Sequence, residues 1–427
     1  MKRVLLGFAG LMCFGFLLAE TSETETSKEN IFSLGVQIRP RAEYRNGVLF
    51  PRAIGQEAAG FINNRARISM GYQRDRLSLG LAAQHVGVWG QDPQIDKNGR
   101  FILNEAWAQL DLGSGFYAKL GRQALAYDDE RILGALDWNV AGRFHDALKL
   151  AYEDKENKLH LILAFNQNEE RMIGGTYYAP GAQPYKSMQT LWYKYANGSP
   201  FDISFLIMNL GLEGGDYETA TTDNKYMQTF GTNLNYTESN WLVGGTFYYQ
   251  SGKTITDKTV SAYMWALKAG YKIDPKWNIF VGSDYLSGNK EEGEKQKAFD
   301  PLYGTHHKFY GAMDYFYASG WAGRNPGLWD NHIGVGFKAS SKVALSLTYH
   351  YFSTTTAISN DNGRGLGSEF DLQVDWNIMP DVKLTAGYST MFGTKSMQLV
   401  KGGNPSHWQD WAFLSLNINP KVFISKW

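Results

Sequence analysis

Very short polar turns and longer loops alternate along this chain, and the segments between them are mostly strands of alternating polarity. The turns include Arg74-Asp75-Arg76, Asp154 to Asn157, Ala196 to Pro200, Asp274 to Lys276, Ser340 to Lys342 and Pro380-Asp381. The longer connections include Val48 to Ala59, Ala124 to Gly142, Glu169 to Lys186 and Asn289 to Asp330. A soluble sandwich has no reason to gather its long loops at one end. A transmembrane barrel does, because its strands run alternately outward and inward, with short periplasmic turns and long extracellular loops.

The first two strands show the pattern most clearly. Leu34, Val36, Ile38, Pro40, Ala42 and Tyr44 share one face, and Gln37, Arg39, Arg41, Glu43 and Arg45 the other. Ile62, Ala66, Ile68, Met70 and Tyr72 oppose Asn63, Arg65, Arg67, Ser69 and Gln73 in the same way. Side chains alternate with period two, so each strand has one apolar and one charged face. In a membrane barrel the apolar face meets lipid and the polar face a wet lumen. Further strands are expected near 76–90, 100–112, 115–123, 144–153, 158–168, 187–195, 201–211, 226–237, 240–250, 260–272, 276–287, 331–339, 343–353, 367–378, 382–392 and 408–418. The predicted fold is therefore all-β, a closed antiparallel transmembrane β-barrel of about 18 strands with both termini periplasmic. Barrels of this size enclose an aqueous channel. Tyr44, Tyr72, Trp192, Trp241, Tyr271, Trp277 and Trp411 sit near strand ends, as interfacial girdles require.

No linker or composition shift divides the 427 residues, and the 15% aromatic content accompanies a negative mean hydropathy. Segments after the first 19 residues fall short of the ~20 apolar residues of a spanning helix. Residues 1–19 read as a signal peptide, with Lys2 and Arg3 before an apolar core and a small-residue site at Ala19. The single cysteine, Cys13, lies inside that core, so the mature chain has no thiol chemistry. Residues 20–32 form a polar periplasmic leader, 33–418 the barrel and 419–427 a C-terminal tail.

Net charge is zero, so bulk charge argues for no nucleic-acid partner, but the arginines are front-loaded. All except Arg324 and Arg364 occur at or before Arg171. If the first hairpin pairs symmetrically, Arg39 lies near Arg67 and Arg41 near Arg65, with Glu43 and Glu105 offsetting part of the repulsion. Guanidinium forks on a pore wall grip carboxylates transiently. A balanced lumen ladder, as in any porin, is the plainer reading. Ser, His and Asp fall in no nucleophile context, and the eight histidines are scattered. His306 and His307 point apart if extended and make no ready metal pair. No enzyme activity, cofactor or metal is expected.

The stretch Leu120 to Ala135, followed by Asp137-Trp138, Gly142-Arg143 and Asp146-Ala147, resembles the signature of the alginate-export porin family. Tyr285 to Gly288, Phe299 to His306 and Lys308 to Asp314 form a second matching block. The resemblance implies an eighteen-stranded outer-membrane barrel whose arginine-lined pore passes anionic uronate polysaccharide outward. It also implies that Arg122, Arg131 and Arg143 form a basic motif, with Glu130 and Asp146 as acidic neighbours. The chain departs from the pattern at Phe144-His145 and at Asn289. Strand parity places Arg122 and Asp146 off the lumen face, at the rim or on a bulge. The expected function is an outer-membrane porin for an anionic oligo- or polysaccharide, surrounded by outer-membrane lipids of a Gram-negative-type cell. A periplasmic export partner is compatible with this. The alternatives are a general diffusion porin and a surface receptor or adhesin using the long loops.

Overall fold

The computed structural model describes residues 29–91, 101–167, 170, 185–216, 221–290, 293, 295–358 and 363–427. The signal peptide and most of the leader lie outside these, as does most of the Glu169 to Lys186 loop. Eighteen strands form one closed antiparallel barrel: β1 (Ile31–Asn46), β2 (Ala59–Arg74), β3 (Leu77–Val88), β4 (Phe101–Gly113), β5 (Phe116–Gln123), β6 (His145–Glu153), β7 (Asn157–Phe165), β8 (Ser187–Tyr195), β9 (Phe201–Asp216), β10 (Thr221–Glu238), β11 (Trp241–Lys253), β12 (Thr259–Lys272), β13 (Trp277–Leu286), β15 (Leu328–Lys338), β16 (Val343–Ser353), β17 (Gly365–Met379), β18 (Val382–Gly393) and β19 (Gln409–Ile418). The two-residue β14 (Lys295–Gln296) pairs with β12 inside a loop, and β20 (Lys421–Lys426) follows β19. Each strand pairs with its sequence neighbour, and β1 closes on β19. None of the described helices is long and apolar enough to cross a membrane.

Alternation aims the side chains as expected. Ile38, Tyr44, Ile68 and Met70 are exposed on the outside, whereas Gln37, Arg41, Glu43 and Arg65 are buried within. Turn-end connections span at most five residues, from 196 to 200. Loop-end connections are unequal: 287–327 is very long, but β9 and β10 are joined by 217–220 alone, because both strands extend further than the sequence indicates.

Cross-strand aromatic pairs ring the outer face near the turn end. They include Phe116–Tyr152, Phe201–Tyr236, Trp241–Tyr271 and Trp277–Phe337, with centroids 4.2 to 5.5 Å apart. Two expected girdle residues face inward instead. Trp192 donates Nε1 to Asp128 at 3.0 Å and Trp411 donates to Glu43 at 3.1 Å. Strand-end position alone does not separate a lipid-facing indole from one that packs against a loop inside.

Two further corrections concern β1. Its ladder with β2 pairs Arg39 with Arg65 and Arg41 with Asn63, two residues from the symmetric register. Parity survives a two-residue shift, so the faces are as expected and only the neighbours change. The segment 419–427 is not a tail. Past Asn419-Pro420 the chain re-pairs with β1, Ile31 opposite Lys426 and Leu34 opposite Phe423. Proline lacks a ladder donor, so the strand breaks at Asn419-Pro420 and pairing resumes at Lys421, with a register shift opposite Leu34 and Gly35. Phe423 and Trp427 then join Phe32 and Tyr72 on the outer face, at 6.2 and 6.3 Å.

Deleting residues 421–427 leaves the Ile31–Gly35 edge unpaired where each bare polar group costs several kcal/mol. The truncated chain is expected to lose the heat-modifiable gel mobility of a folded barrel; full recovery of that form in detergent would show the closing segment to be dispensable.

Candidate functional site

The lumen at the loop end is filled by two connections that turn inward, 124–144 and 287–327. The first lies against the arginine wall of β1 and β2. Asp137 Oδ2 accepts from Arg39 at 3.2 Å, and Asp137 Oδ1 from Arg65 at 2.8 Å. Arg41 donates to the Trp138 carbonyl at 2.8 Å, Arg39 to that of Asn139 at 3.1 Å, and Gln84 to that of Ala141 at 2.7 Å. A loop with no ladder of its own thus has its carbonyls satisfied by wall side chains, as buried backbone requires.

The charges on this wall are unequal. Glu43, fully buried, accepts from Arg41 at 2.8 Å and Arg45 at 2.9 Å. Nearby, Arg39 and Arg65 share the single carboxylate of Asp137, while Arg67 donates to the neutral Gln84. Arg65 is 0% exposed, and its Nε and Nη1 have no hydrogen-bond partner among the described residues. The Asp137 side chain is 64% exposed. One accessible carboxylate therefore covers a surplus of guanidinium donors. Glu105 accepts from Trp107 at 2.8 Å and, as expected, its charge favours that of the nearby Arg67.

The second loop locks onto the first. Leu133 and Tyr303 form a parallel bridge, and Gly134 donates to the Tyr303 carbonyl at 2.9 Å. Arg131, buried, binds Asp129 at 2.7 Å and Asp284 of the β13 wall at 2.9 Å, with Phe309 under its guanidinium at 3.9 Å. Burial opposes its charge, but the two carboxylates hold its pKa above the ordinary arginine value. Glu130 binds Thr305 at 2.7 Å and also Lys308. Burial would raise its pKa, yet these donors keep it below the usual carboxylate range. Asp128 behaves oppposite: burial lifts its pKa despite bonds from Ser204 and Trp192. Arg143 donates to the Gly304 carbonyl at 2.9 Å, and burial lowers its pKa. His307 stacks on Trp138 at 4.2 Å and 8°.

The clamp holds backbone that would not persist alone. Asp128, Glu130 and Leu136 in the first loop, and Leu302, Tyr310, Asp314 and Tyr317 in the second, have left-handed φ angles. Such residues cost on the order of 1 kcal/mol or more each. Burial of Phe299, Tyr310, Met313, Tyr315 and Phe316 in one apolar cluster with Met188, Leu206, Met208 and Met264 of the wall offsets this.

The residues of the motif blocks therefore separate by position. Arg131, Arg143 and Glu130 join the two inward loops, and Arg39, Arg41, Arg65, Arg67 and Glu43 line the wall that receives the first. Arg122 and Asp146 lie on the outer face, where Arg122 Nε donates to Asp146 Oδ1 at 2.9 Å and the guanidinium covers Phe144 at 4.1 Å. Parity had pointed them away from the lumen. Asp137, Trp138 and Asp284, which complete these contacts, carry no sequence signal for their partners, more than 70 residues away in each case.

The alginate export family model matches residues 31–395. The chain belongs to the alginate export family. No curated protein matches the sequence. Among solved structures, the chain is similar to OccAB1 of Acinetobacter baumannii, with 11% identity, a TM-score of 0.64, and coverage of 92% of this chain and 97% of that one. The outer membrane protein OpdK of Pseudomonas aeruginosa aligns at 9% identity and a TM-score of 0.63, over 93% and 99% of the two chains. OccK9 (OpdG) of the same organism gives 12%, 0.61, 91% and 98%. At such identities the likeness is one of fold, that of an outer-membrane barrel.

Replacing Arg131 by Met strands Asp284 and Asp129 without their counter-charge, a loss of about 3–5 kcal/mol when one partner of a buried pair is removed. The expected result is faster protease cleavage within 298–327 with the strands still resistant, read by mass spectrometry of the fragments. Cleavage at the native rate would mean that Arg131 does not hold the loop.

Proposed function

We propose that this barrel is an outer-membrane pathway for an anionic saccharide, a uronate polymer in keeping with its family, and that the β1–β2 arginine wall selects it. The observation that carries this reading is the Arg39, Arg65 and Asp137 cluster. Asp137 presents to two guanidiniums the same carboxylate group that a uronate carries. Asp137 is accessible while Arg39 and Arg65 lie largely covered behind it, so a passing carboxylate reaches the guanidiniums by taking the place of Asp137. Bidentate-capable arginines suit such transient exchange better than lysines, whose ammonium is a point charge. A narrow passage with low-dielectric walls focuses the field of its lining, so selectivity follows the wall and not the neutral total.

Reversal potentials in a salt gradient across planar bilayers test this. The native barrel is expected to prefer anions, and the preference should fade as salt shortens the screening length below ~8–10 Å. Changing Arg39, Arg41, Arg65 and Arg67 together to Ser should abolish it, whereas Asp137→Asn should strengthen it. Cation preference in the native protein, or a preference indifferent to both changes, would leave a general porin in place of a uronate pathway.

Deleting 298–328 removes the loop that fills the mouth, so single-channel conductance is expected to rise severalfold. Unchanged conductance would place the restriction elsewhere.

A further inference from the structure

The inner face of β15 and β16 carries a cluster that the arginine wall does not involve. Asp330 and His332 are two residues apart on β15 and share the lumen side. His350 of β16 is the direct ladder partner of His332. Facing side chains on neighbouring strands stand about 5 Å apart, so the register gathers all three. Their ligating atoms lie within 4.8 Å of one another. His350 Nδ1 is 2.9 Å from Asp330 Oδ1, and His332 Nδ1 is 3.4 Å from Asp330 Oδ2.

Three features distinguish this cluster from an ordinary histidine–aspartate hydrogen bond. First, His332 Nδ1 is buried and forms no well-aligned hydrogen bond among the described residues, meeting only Asp330 at 3.4 Å. Second, its ring is held in place by a glycine: a Cβ on Gly282, its partner on β13, would come within 2.2 Å of His332 Nε2. Third, the outer nitrogen of His350 faces another carboxylate, with Nε2 3.5 Å from Asp371 Oδ2. Carboxylates that orient the far nitrogen of a ligating histidine are the usual second layer of a metal site.

The local charge also calls for a cation. Asp330 is 0% exposed and sits opposite Asp284 in the ladder, whose charge Arg131 already meets. Glu369 and Asp371 add two acidic groups from β17 that lie against each other. Lys268 and Lys308 line the cavity of about 290 Å³ beside the cluster, but neither forms an ion pair with Asp330 among the described residues.

We propose that Asp330, His332 and His350 bind a divalent transition-metal ion of the zinc class. Two imidazole nitrogens and a carboxylate oxygen are donors such ions accept at about 2.0–2.2 Å, leaving a fourth position for water or substrate. In a tetrahedral site of that radius the donors stand about 3.4 Å apart. His332 Nδ1 already stands at that distance from Asp330, at 3.4 Å, while His350 Nδ1 is closer at 2.9 Å, and all the ligating atoms lie within 4.8 Å, so side-chain rotations about an entering ion complete the site. Calcium and magnesium take oxygen ligands and are poor fits for two imidazoles. The fourth position opens on the cavity beneath Lys308 and Tyr310, within the lumen.

The test uses the full barrel in detergent, made without a histidine tag and stripped with a chelator. Titration with CoCl2 is expected to give one equivalent of bound ion with the visible absorption of four-coordinate cobalt, displaced by ZnCl2 and unaffected by excess CaCl2. His332→Gln and His350→Gln should each weaken binding by at least ~100-fold, on the scale by which even outer-layer changes cost 10–100-fold. His407→Gln, outside the cluster, should leave it unchanged. Heat-modifiable mobility confirms that each variant is folded. Failure of the native barrel to bind cobalt or zinc stoichiometrically overturns the proposal whatever the variants do, as does binding that both histidine variants retain.

Discussion

Inside lipid, a backbone amide without a carbonyl partner costs several kcal/mol, and the neighbouring strand is the nearest source of one. That single constraint closes the sheet, fixes the nearest-neighbour order of its strands and confines irregular chain to the two ends. It also creates a difficulty. A ring of eighteen strands encloses more space than wall side chains fill, so only chain folded inward can narrow it. Here the two long connections fold inward with carbonyls satisfied by wall groups, Gln84, Arg39 and Arg41 for the first and Gln250 for the second.

The inward loops divide the lumen by chemistry. Against β1 and β2 the contact is ionic and partly wet, with accessible Asp137 between guanidiniums. Against β8 to β13 it is largely apolar, with Met188, Met208 and Met264 fully buried in one cluster with Phe299 and Tyr310. The apolar side anchors the loops, and the ionic side is where charge is exchangeable. Arg131 and Asp284 join the two regimes, because a buried pair tolerates loss of neither partner.

How much of this was legible follows from the same division. Strands facing the wet side alternate cleanly, so the fold and the inward direction of Arg39, Arg41, Arg65 and Arg67 could be read from parity. Parity is indifferent to a slip of two, and the neighbours Arg39 and Arg65 were therefore misjudged. On the apolar side alternation blurs: Phe205 and Ile207 face out while Leu206 and Met208 face in, and all four are apolar. Trp192 and Trp411 were misread for the same reason, since an indole suits a packed lumen as well as a lipid interface. The contacts of Arg131 and of Asp137 join positions far apart in sequence, and no local pattern records them. Residues 419–427 read as a tail because Pro420 interrupts the strand and consecutive apolar residues follow it, whereas a break with a shift of register accommodates both.

The seam where the barrel shuts sets the order in which the chain can mature. Gln37 donates to Asn417 at 2.8 Å across 380 positions of sequence, so this contact cannot form until the chain has been made through residue 417. Contacts of such separation are intrinsically slow. The first strand must wait with one edge open, and Pro420 splits its late partner into two lengths that zip separately. Until that partner is in place, the waiting edge is the part of the unfinished sheet most open to pairing with a wrong strand.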